Sequence, residues 1–119
     1  ERGARLEEIA RGAREMLEGR TVLNVNSTAV GGGVAEMLQT LLSYLRGGGI
    51  DAQWTVIGGN TEFFAITKRL HNGIHGSAGD GGPLGAAEHQ AYRAVIDSNA
   101  PEIATLVRKG DLVLLHDPQ

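Results

Sequence analysis

The chain has 119 residues, of which 41% are hydrophobic and 21% charged, and this length suits one small domain that buries about two-thirds of its unfolded surface. Its net charge of −3 gives no support for nucleic acid or an anionic membrane as a partner, and no apolar run approaches the ~20 residues of a membrane span. The absence of cysteine excludes disulfides and thiolate metal sites, and it fits a reducing cytoplasm.

The first predicted element is an amphipathic helix over residues 2–17, ended by Gly19. Its apolar face is predicted to consist of Leu6, Ile9, Ala10, Ala13 and Leu17. Because its charges are of both signs, we expect this face to pack against the sheet or against a neighbouring domain. Residues 1–19 are therefore interpreted as a helical extension of one domain, residues 1–119.

A strand, a glycine loop and a helix follow. Residues 21–26 alternate β-branched and polar side chains, residues 34–46 repeat apolar residues at helical spacing, and residues 31–33 between them are all glycine. A helix that starts after such a loop presents backbone N–H groups to an anion, and glycine allows an oxygen-rich ligand to approach closely. The motif is neither a P-loop nor a GxGxxG fingerprint, so the pattern leaves a phosphate or sugar site and a merely tight turn equally open.

The same order of strand, glycines and helix recurs further along the chain. A second strand is predicted over residues 50–57, with Trp54 as a packing residue. Glycines break the chain after it, and Thr61 suits the N-cap of a short helix, whose N-terminus can also face a ligand. Two adjacent phenylalanines in this helix, Phe63 and Phe64, are more typical of core or lid packing.

Residues 72–85 are dominated by glycine and are interpreted as a mobile surface loop. His71, His75 and Asp80 lie in or beside this loop. They lack HxH or HExxH spacing, and the sequence therefore gives no metal assignment.

Two further helices and a strand complete the predicted pattern. Helical periodicity resumes over residues 83–99, and Pro101 suits the first turn of another helix over residues 102–109. Residues 111–115 read DLVLL, an apolar run typical of a strand buried on both faces.

The order α-β-α-β-α-α-α-β indicates an α/β fold with an open, mostly parallel, Rossmann-like sheet. Right-handed crossovers place the glycine loop and residues 116–119 at the same, carboxyl edge of that sheet. If the last strand lies beside the first, opposite the second, both segments flank the point where such sheets bind ligands. A parallel sheet needs helices on both faces, so we expect this chain to be an incomplete lobe of a larger protein.

The residues after the last strand suit a polyhydroxylated ligand that carries phosphate. The Asp117 carboxylate can accept hydrogen bonds from two hydroxyl groups, and His116 can donate to an oxygen or orient the aspartate. The alternative, equally open from the pattern, is that both residues cap a following helix. No Ser–His–Asp or paired-carboxylate arrangement is supported, so the pattern assigns no catalytic residue; His116 is kept as a candidate.

Three segments carry a resemblance to a known family: NVNSTAVGGGVAEML, DAQWTVIGGNTEFFAITKRLHNGIHG and LVLLHDPQ. Together they resemble the N-terminal portion of trehalose synthases of the glycosyltransferring type, which are retaining nucleotide-sugar glycosyltransferases of family 4 with the glycosyltransferase-B fold. The resemblance implies trehalose formation from a nucleoside-diphosphate glucose and free glucose, without a cofactor, in a cleft between two Rossmann-like domains.

The resemblance also implies roles for particular residues. Gly32 and Gly33 match the loop that faces the donor, and Asp117, with His116 beside it, matches an acceptor-binding aspartate. The family's basic pair and glutamate signature belong to a C-terminal donor-binding domain and are missing from this sequence, so the chain alone is expected to be inactive.

Three alternatives remain open at this point. The first is a fragment of a trehalose phosphorylase, which uses phosphate in place of a nucleotide. The second is a non-catalytic module that binds phosphate or a nucleotide. The third is an assembly element that forms a homodimer through the N-terminal helix or an exposed sheet edge.

Overall fold

The computed structural model describes residues 2–116. Its elements follow in the order α1 (Arg2–Met16), β1 (Val22–Asn26), α2 (Gly33–Gly47), β2 (Ala52–Val56), α3 (Thr61–Ile74), α4 (Ala86–Leu106) and β3 (Leu112–Leu115). The predicted α/β class is confirmed, and the order of elements departs from the prediction at one place, where two predicted helices form one.

The three strands form a parallel sheet in the order β2-β1-β3. Val22, at the start of β1, pairs with Ala52 on one side and with Leu112 on the other. The last strand therefore lies beside the first and opposite the second, as predicted. All three strands end at one edge of the sheet, the carboxyl edge, and begin at the opposite, amino edge.

Helices on both faces of the sheet bury β1 along its whole length. On one face, Leu38 and Leu42 of α2 pack against Ala52 of β2. On the other face, Val25 of β1 packs with Phe63 of α3 and with apolar side chains of α4. Burial of a leucine or phenylalanine side chain contributes about 1.5–3 kcal/mol, so these two clusters supply most of the apolar stabilisation of the fold.

Helix α4 continues through Pro101, and the predicted division into two helices at this residue is wrong. Proline removes one helical hydrogen bond and favours a break. Here Ile96 before the proline and Ile103 after it contact the same core cluster. Asn99 also accepts from Gly58 N at 2.9 Å and donates to Gly58 O at 3.0 Å. Tertiary contacts on both sides of the proline thus keep α4 in one piece.

The start of α3 also differs from the prediction. Asn60, rather than Thr61, is the N-cap, because its Oδ1 accepts a hydrogen bond from Phe63 N at 2.8 Å. Asparagine and threonine are both good N-cap residues. When they are adjacent, the sequence pattern alone does not show which of them is the cap.

Strand β3 is exposed, with side chains between 39% and 69% accessible. The prediction of a strand buried on both faces is therefore wrong for the residues that the structure describes. The reason is position: β3 lies at the edge of the sheet, with β1 on one side only.

Helix α1 forms as predicted but does not pack against the sheet. None of its residues is buried, and Leu6 is 67% exposed. Arg14 links the helix to the rest of the chain, because its Nη1 donates to Gly48 O at 2.9 Å. Packing against a neighbouring domain stays a prediction. No helix within residues 2–116 is both long enough and apolar enough to cross a membrane.

Hydrogen bonds among four residues connect the starts of the three strands at the amino edge. These residues, called the amino-edge cluster below, are Thr21, Asp51, Arg108 and Asp111. The Asp111 side chain is only 3% exposed, and its carboxylate accepts from Thr21 N at 2.8 Å and from Arg108 N at 2.7 Å. Thr21 Oγ1 in turn donates to Asp51 Oδ2 at 2.7 Å. The hydrogen bonds from Thr21 N and Arg108 N hold the pKa of Asp111 below its ordinary value, because they favour the charged carboxylate.

Candidate functional site

The glycine loop adopts a backbone that side chains resist. Gly31 and Gly32 have φ angles of 78° and 84°, in the left-handed region that favours glycine. Gly32 is the N-cap of α2 and makes no side-chain capping bond. The N–H groups of Gly33, Val34 and Ala35 donate to no residue in the described part of the chain. The start of α2 thus presents several donors, together with the positive end of the helix dipole.

Buried polar groups at the end of β1 hold this loop in place. Asn26 is buried, and its Nδ2 donates to Thr28 O at 2.7 Å. Trp54 of β2 donates its Nε1 to Asn26 Oδ1 at 2.7 Å. Within the loop, Thr28 Oγ1 donates to Val30 O at 2.9 Å. Trp54 therefore packs in the sheet, as predicted, and also supports the loop through Asn26.

A cavity of about 840 Å³ lies between the glycine loop and α3, and it is called the glycine-loop cavity below. It is lined by Ser27, Thr28, Gly32, Gly33 and Val34 from the loop and by Phe64, Thr67, Lys68 and His71 from α3. Its volume lies in the range of about 300–1,000 Å³ that is common for small-molecule sites. The lining offers backbone N–H groups, hydroxyls, an ammonium and an imidazole, all of which can contact an oxyanion.

Lys68 and His71 line this candidate site, and the sequence reasoning did not assign either of them to it. They share one face of α3 with Phe64 and Thr67, because residues three and four apart are neighbours on a helix. The sequence contains two lysines, Lys68 and Lys109, and one of them faces this cavity. The sequence does show that a lysine and a histidine share one face of this helix. It does not show that this face lies opposite the glycine loop, and only that position makes them part of the lining.

The sequence analysis suggested that the N-terminus of α3 can face a ligand, and this stays a prediction. Asn60 Oδ1 accepts a hydrogen bond from Phe63 N at 2.8 Å, so one donor of the first turn already has a partner. The middle turns of α3 contribute to the lining of the glycine-loop cavity.

The loop after α3 is anchored to that helix. Helix α3 extends to Ile74, and Arg69 then binds the loop: its Nε lies 2.8 and 3.0 Å from the two Asp80 oxygens, and its Nη1 donates to Pro83 O at 3.1 Å. These hydrogen bonds hold the pKa of Asp80 below its ordinary value and raise the pKa of Arg69. Within residues 2–116, no three histidine, cysteine or acidic side chains lie together in a way that could hold a metal ion.

His116 lies at the carboxyl edge, as predicted, but it does not line the glycine-loop cavity. Its backbone N–H extends the sheet by donating to Val25 O at 2.9 Å. Its Nε2 lies 3.0 Å from Oδ1 of Asn24, a buried residue in the middle of β1. Gly32 and Gly33 do line the cavity. Asp117 lies outside the described residues, and its acceptor-binding role stays a prediction.

A second hollow, of about 470 Å³, lies at the amino edge beside the end of α1. Its lining mixes charges of both signs, among them Glu15, Glu18 and Arg20. Asp51 and Arg108, which also line it, already belong to the amino-edge cluster. This hollow offers neither an unengaged helix N-terminus nor one sign of charge, and we therefore assign the candidate site to the carboxyl edge.

Fold and site together define a class: an α/β protein whose open parallel sheet carries a glycine loop, and a cavity beside it, at its carboxyl edge. Comparison with known proteins is more specific. Residues 24–119 match the family described as "Trehalose synthase, N-terminal domain". The chain therefore belongs to this family.

Three relatives illustrate the similarity. The trehalose synthase of Pyrococcus horikoshii is 44% identical over 105 residues, which are 88% of this chain and 24% of that protein. The trehalose synthase of Thermococcus litoralis is 40% identical over 94% of this chain and 26% of that protein. The trehalose synthase of Rubrobacter xylanophilus is 36% identical over 87% of this chain and 24% of that protein. The chain thus spans about a quarter of the length of these relatives.

Proposed function

We propose that the protein forms trehalose by transferring glucose from a nucleoside-diphosphate glucose to free glucose, as a retaining glycosyltransferase of family 4 with the glycosyltransferase-B fold. Residues 1–119 then belong to the acceptor-side, N-terminal lobe, and a C-terminal domain supplies most of the nucleotide pocket. The observation that carries the proposal is the glycine-loop cavity, found in a chain of the trehalose synthase N-terminal domain family.

The chemistry of the cavity suits the phosphate groups of such a donor. The N–H groups at the start of α2 and the Lys68 ammonium approach it from the loop side and the α3 side. A hydrogen bond to a charged group contributes about 1.5–3 kcal/mol, and the helix dipole adds about 0.3–1 kcal/mol. Since neither these N–H groups nor the Lys68 ammonium bonds to another residue within 2–116, a phosphate breaks no such bond on binding, and this supports a loop preorganised for an oxyanion.

The acceptor glucose is assigned to the residues that follow β3. His116 begins this segment at the carboxyl edge, and the sequence places Asp117 directly after it. In the proposal, the Asp117 carboxylate accepts hydrogen bonds from two glucose hydroxyls and His116 contributes a third polar contact. We also propose a cytoplasmic location, for which the cysteine-free sequence is the supporting observation.

A trehalose phosphorylase is the second candidate, because the same N–H groups and Lys68 suit inorganic phosphate equally well. A non-catalytic phosphate-binding module uses the same contacts without turnover. The assembly alternative is supported by a different observation, the exposed apolar side chains of α1 and β3. If a homodimer covers these side chains, we expect it to dissociate when Leu6 is replaced by Glu.

The experiment that tests the proposal uses the protein expressed from its whole reading frame. Trehalose is measured after incubation with glucose and each nucleoside-diphosphate glucose, and phosphorolysis is measured with trehalose and phosphate. We expect trehalose from at least one donor and none from residues 1–119 alone. Phosphorolysis without donor-dependent synthesis would establish the phosphorylase, and ligand binding without either reaction would establish the module.

A further inference from the structure

Asn24 is an unusual residue for the centre of a buried strand. It lies between Leu23 and Val25 in β1, and none of its surface is exposed. A buried amide without partners destabilises a protein by about 1–3 kcal/mol. Asn24 has two partners: its Nδ2 donates to Gln53 O at 3.2 Å, and its Oδ1 lies 3.0 Å from His116 Nε2.

These two partners determine where the His116 proton lies. A backbone carbonyl oxygen only accepts, so the Asn24 amide nitrogen must face Gln53 O. Rotating the amide by half a turn would place two oxygens against each other at this position. The Asn24 oxygen therefore faces His116, and because it too can only accept, His116 Nε2 must carry a hydrogen and donate it.

The backbone holds the two residues in this relation. Asn24 pairs with Leu114 and Val25 with Leu115 in the parallel register, and His116 N continues the ladder to Val25 O at 2.9 Å. Because strand side chains alternate, His116 lies on the same face as Leu114 and hence as Asn24. The chain leaves β1 toward β2 and returns on the opposite side to β3, so the crevice at the ends of β1 and β3 is where such sheets receive ligands.

We propose that Asn24 is a positioning residue that fixes His116 with its proton on Nε2, so that Nδ1 of the neutral ring accepts a hydrogen bond from a ligand hydroxyl. An unrestrained imidazole distributes its proton over both nitrogens, whereas the Asn24 oxygen excludes the form protonated only on Nδ1. That the hydroxyl belongs to a sugar rests on the proposed function. The assignment of the proton does not.

The first test determines by NMR which ring nitrogen of His116 carries the proton. It uses the protein from the whole reading frame, labelled with ¹⁵N-histidine. The His116 signals are those that disappear in His116→Phe. We expect the proton on Nε2 in the wild type, with a ring N–H signal that exchanges slowly with water. A wild-type spectrum with the proton on Nδ1 would overturn the proposal without any variant.

Substitutions then test whether Asn24 is the cause. Asn24→Leu removes the acceptor, and we expect the slow ring N–H signal of His116 to be lost. Asn26→Leu is the matched control, since Asn26 is also buried and two residues along the same face, but it contacts Trp54 and Thr28 instead. An unchanged His116 signal in folded Asn24→Leu contradicts the proposal.

A double-mutant cycle on trehalose formation separates positioning from a purely structural role. Asn24→Leu should lower turnover about tenfold or more when His116 is present and should have little further effect in the His116→Phe background. Equal losses in both backgrounds would mean that Asn24 acts only through the sheet. If the protein makes no trehalose at all, the proposed function fails while the NMR result still decides the role of Asn24.

Discussion

The two edges of the sheet use polar groups in opposite ways. At the amino edge, the Asp111 carboxylate accepts hydrogen bonds from Thr21 N and Arg108 N, and Thr21 Oγ1 donates to Asp51. These three donors therefore have acceptors within the chain. At the carboxyl edge, the start of α2 keeps N–H groups without acceptors among the described residues, and Lys68 faces an open cavity. The comparison indicates that one edge stabilises the fold and the other is available for a ligand.

The largest expected effect is on stability and comes from the amino edge. Asp111→Ala leaves the N–H groups of Thr21 and Arg108 without their acceptor, and we expect the melting temperature to fall by about 5–10 °C. Asp97→Ala is the control, because Asp97 is 65% exposed and its distance to Arg93 is 3.8 Å. The comparison between the edges fails if the two variants melt alike in differential scanning calorimetry.

The next effect is on the acceptor side of the carboxyl edge. Asp117→Ala should raise the KM for glucose or lower kcat by about tenfold or more, because two hydrogen bonds to the carboxylate are lost. Donor affinity should change little. Steady-state kinetics with glucose varied, alongside a melting curve, checks this expectation. A lower melting temperature with unchanged acceptor kinetics would identify Asp117 as a helix cap instead.

The glycine loop gives a smaller but cleaner effect. Valine at Gly32 would be strained at a φ of 84° whether or not a ligand binds, whereas Gly33 has no positive φ and a Cβ added there meets nothing within 4 Å. Gly33→Ala should therefore keep or raise stability, since alanine favours a helix, and should weaken donor binding about three- to tenfold by filling the approach to the loop.

The matched control for this change is Gly47→Ala at the other end of α2, where a Cβ also meets nothing within 4 Å. Donor affinities measured by titration calorimetry compare the two variants. Equal affinities would mean that residues 31–33 form only a tight turn.

The smallest effect is a dependence on pH. The pKa of Asp111 is lowered from 3.8 by its hydrogen bonds, so its charged form adds stability that is fully present above the unfolded value and is lost as the pH falls through the lowered pKa. The difference in melting temperature between wild type and Asp111→Asn should therefore shrink below about pH 4. A difference that stays constant down to pH 2 contradicts this account.

The sequence was sufficient for the parts of the fold that depend on local pattern and connection rules. Strand β1, the glycine loop and α2 follow from periodicity, and right-handed crossovers place Gly32 and His116 at one edge. The exposure of β3 was not predictable, because an apolar strand has the same pattern at an edge as at the centre of a sheet. The continuity of α4 at Pro101 depends on Ile96 and Ile103, whose shared core contact is tertiary.

The lining of the candidate site was predictable only in part, for the same reason. Gly32 and Gly33 carry a local signal, since consecutive glycines before a helix are visible in the sequence. Lys68 and His71 join them only because α3 lies opposite the loop. Asn24 and His116 are 92 positions apart in the sequence, so no local sequence pattern predicts their contact.

The central claim is that the glycine-loop cavity binds the phosphate groups of the donor, and the two lysines of the chain test it most directly. Lys68 lines the cavity, whereas Lys109 lies in the turn that enters β3 at the amino edge. Titration calorimetry of the protein from the whole reading frame, with uridine and adenosine diphosphate glucose in turn, compares Lys68→Met with Lys109→Met. The account predicts a Kd about tenfold higher for Lys68→Met, equivalent to about 1.4 kcal/mol, with weaker salt dependence, and an unchanged Kd for Lys109→Met. Equal affinities in both variants would contradict it.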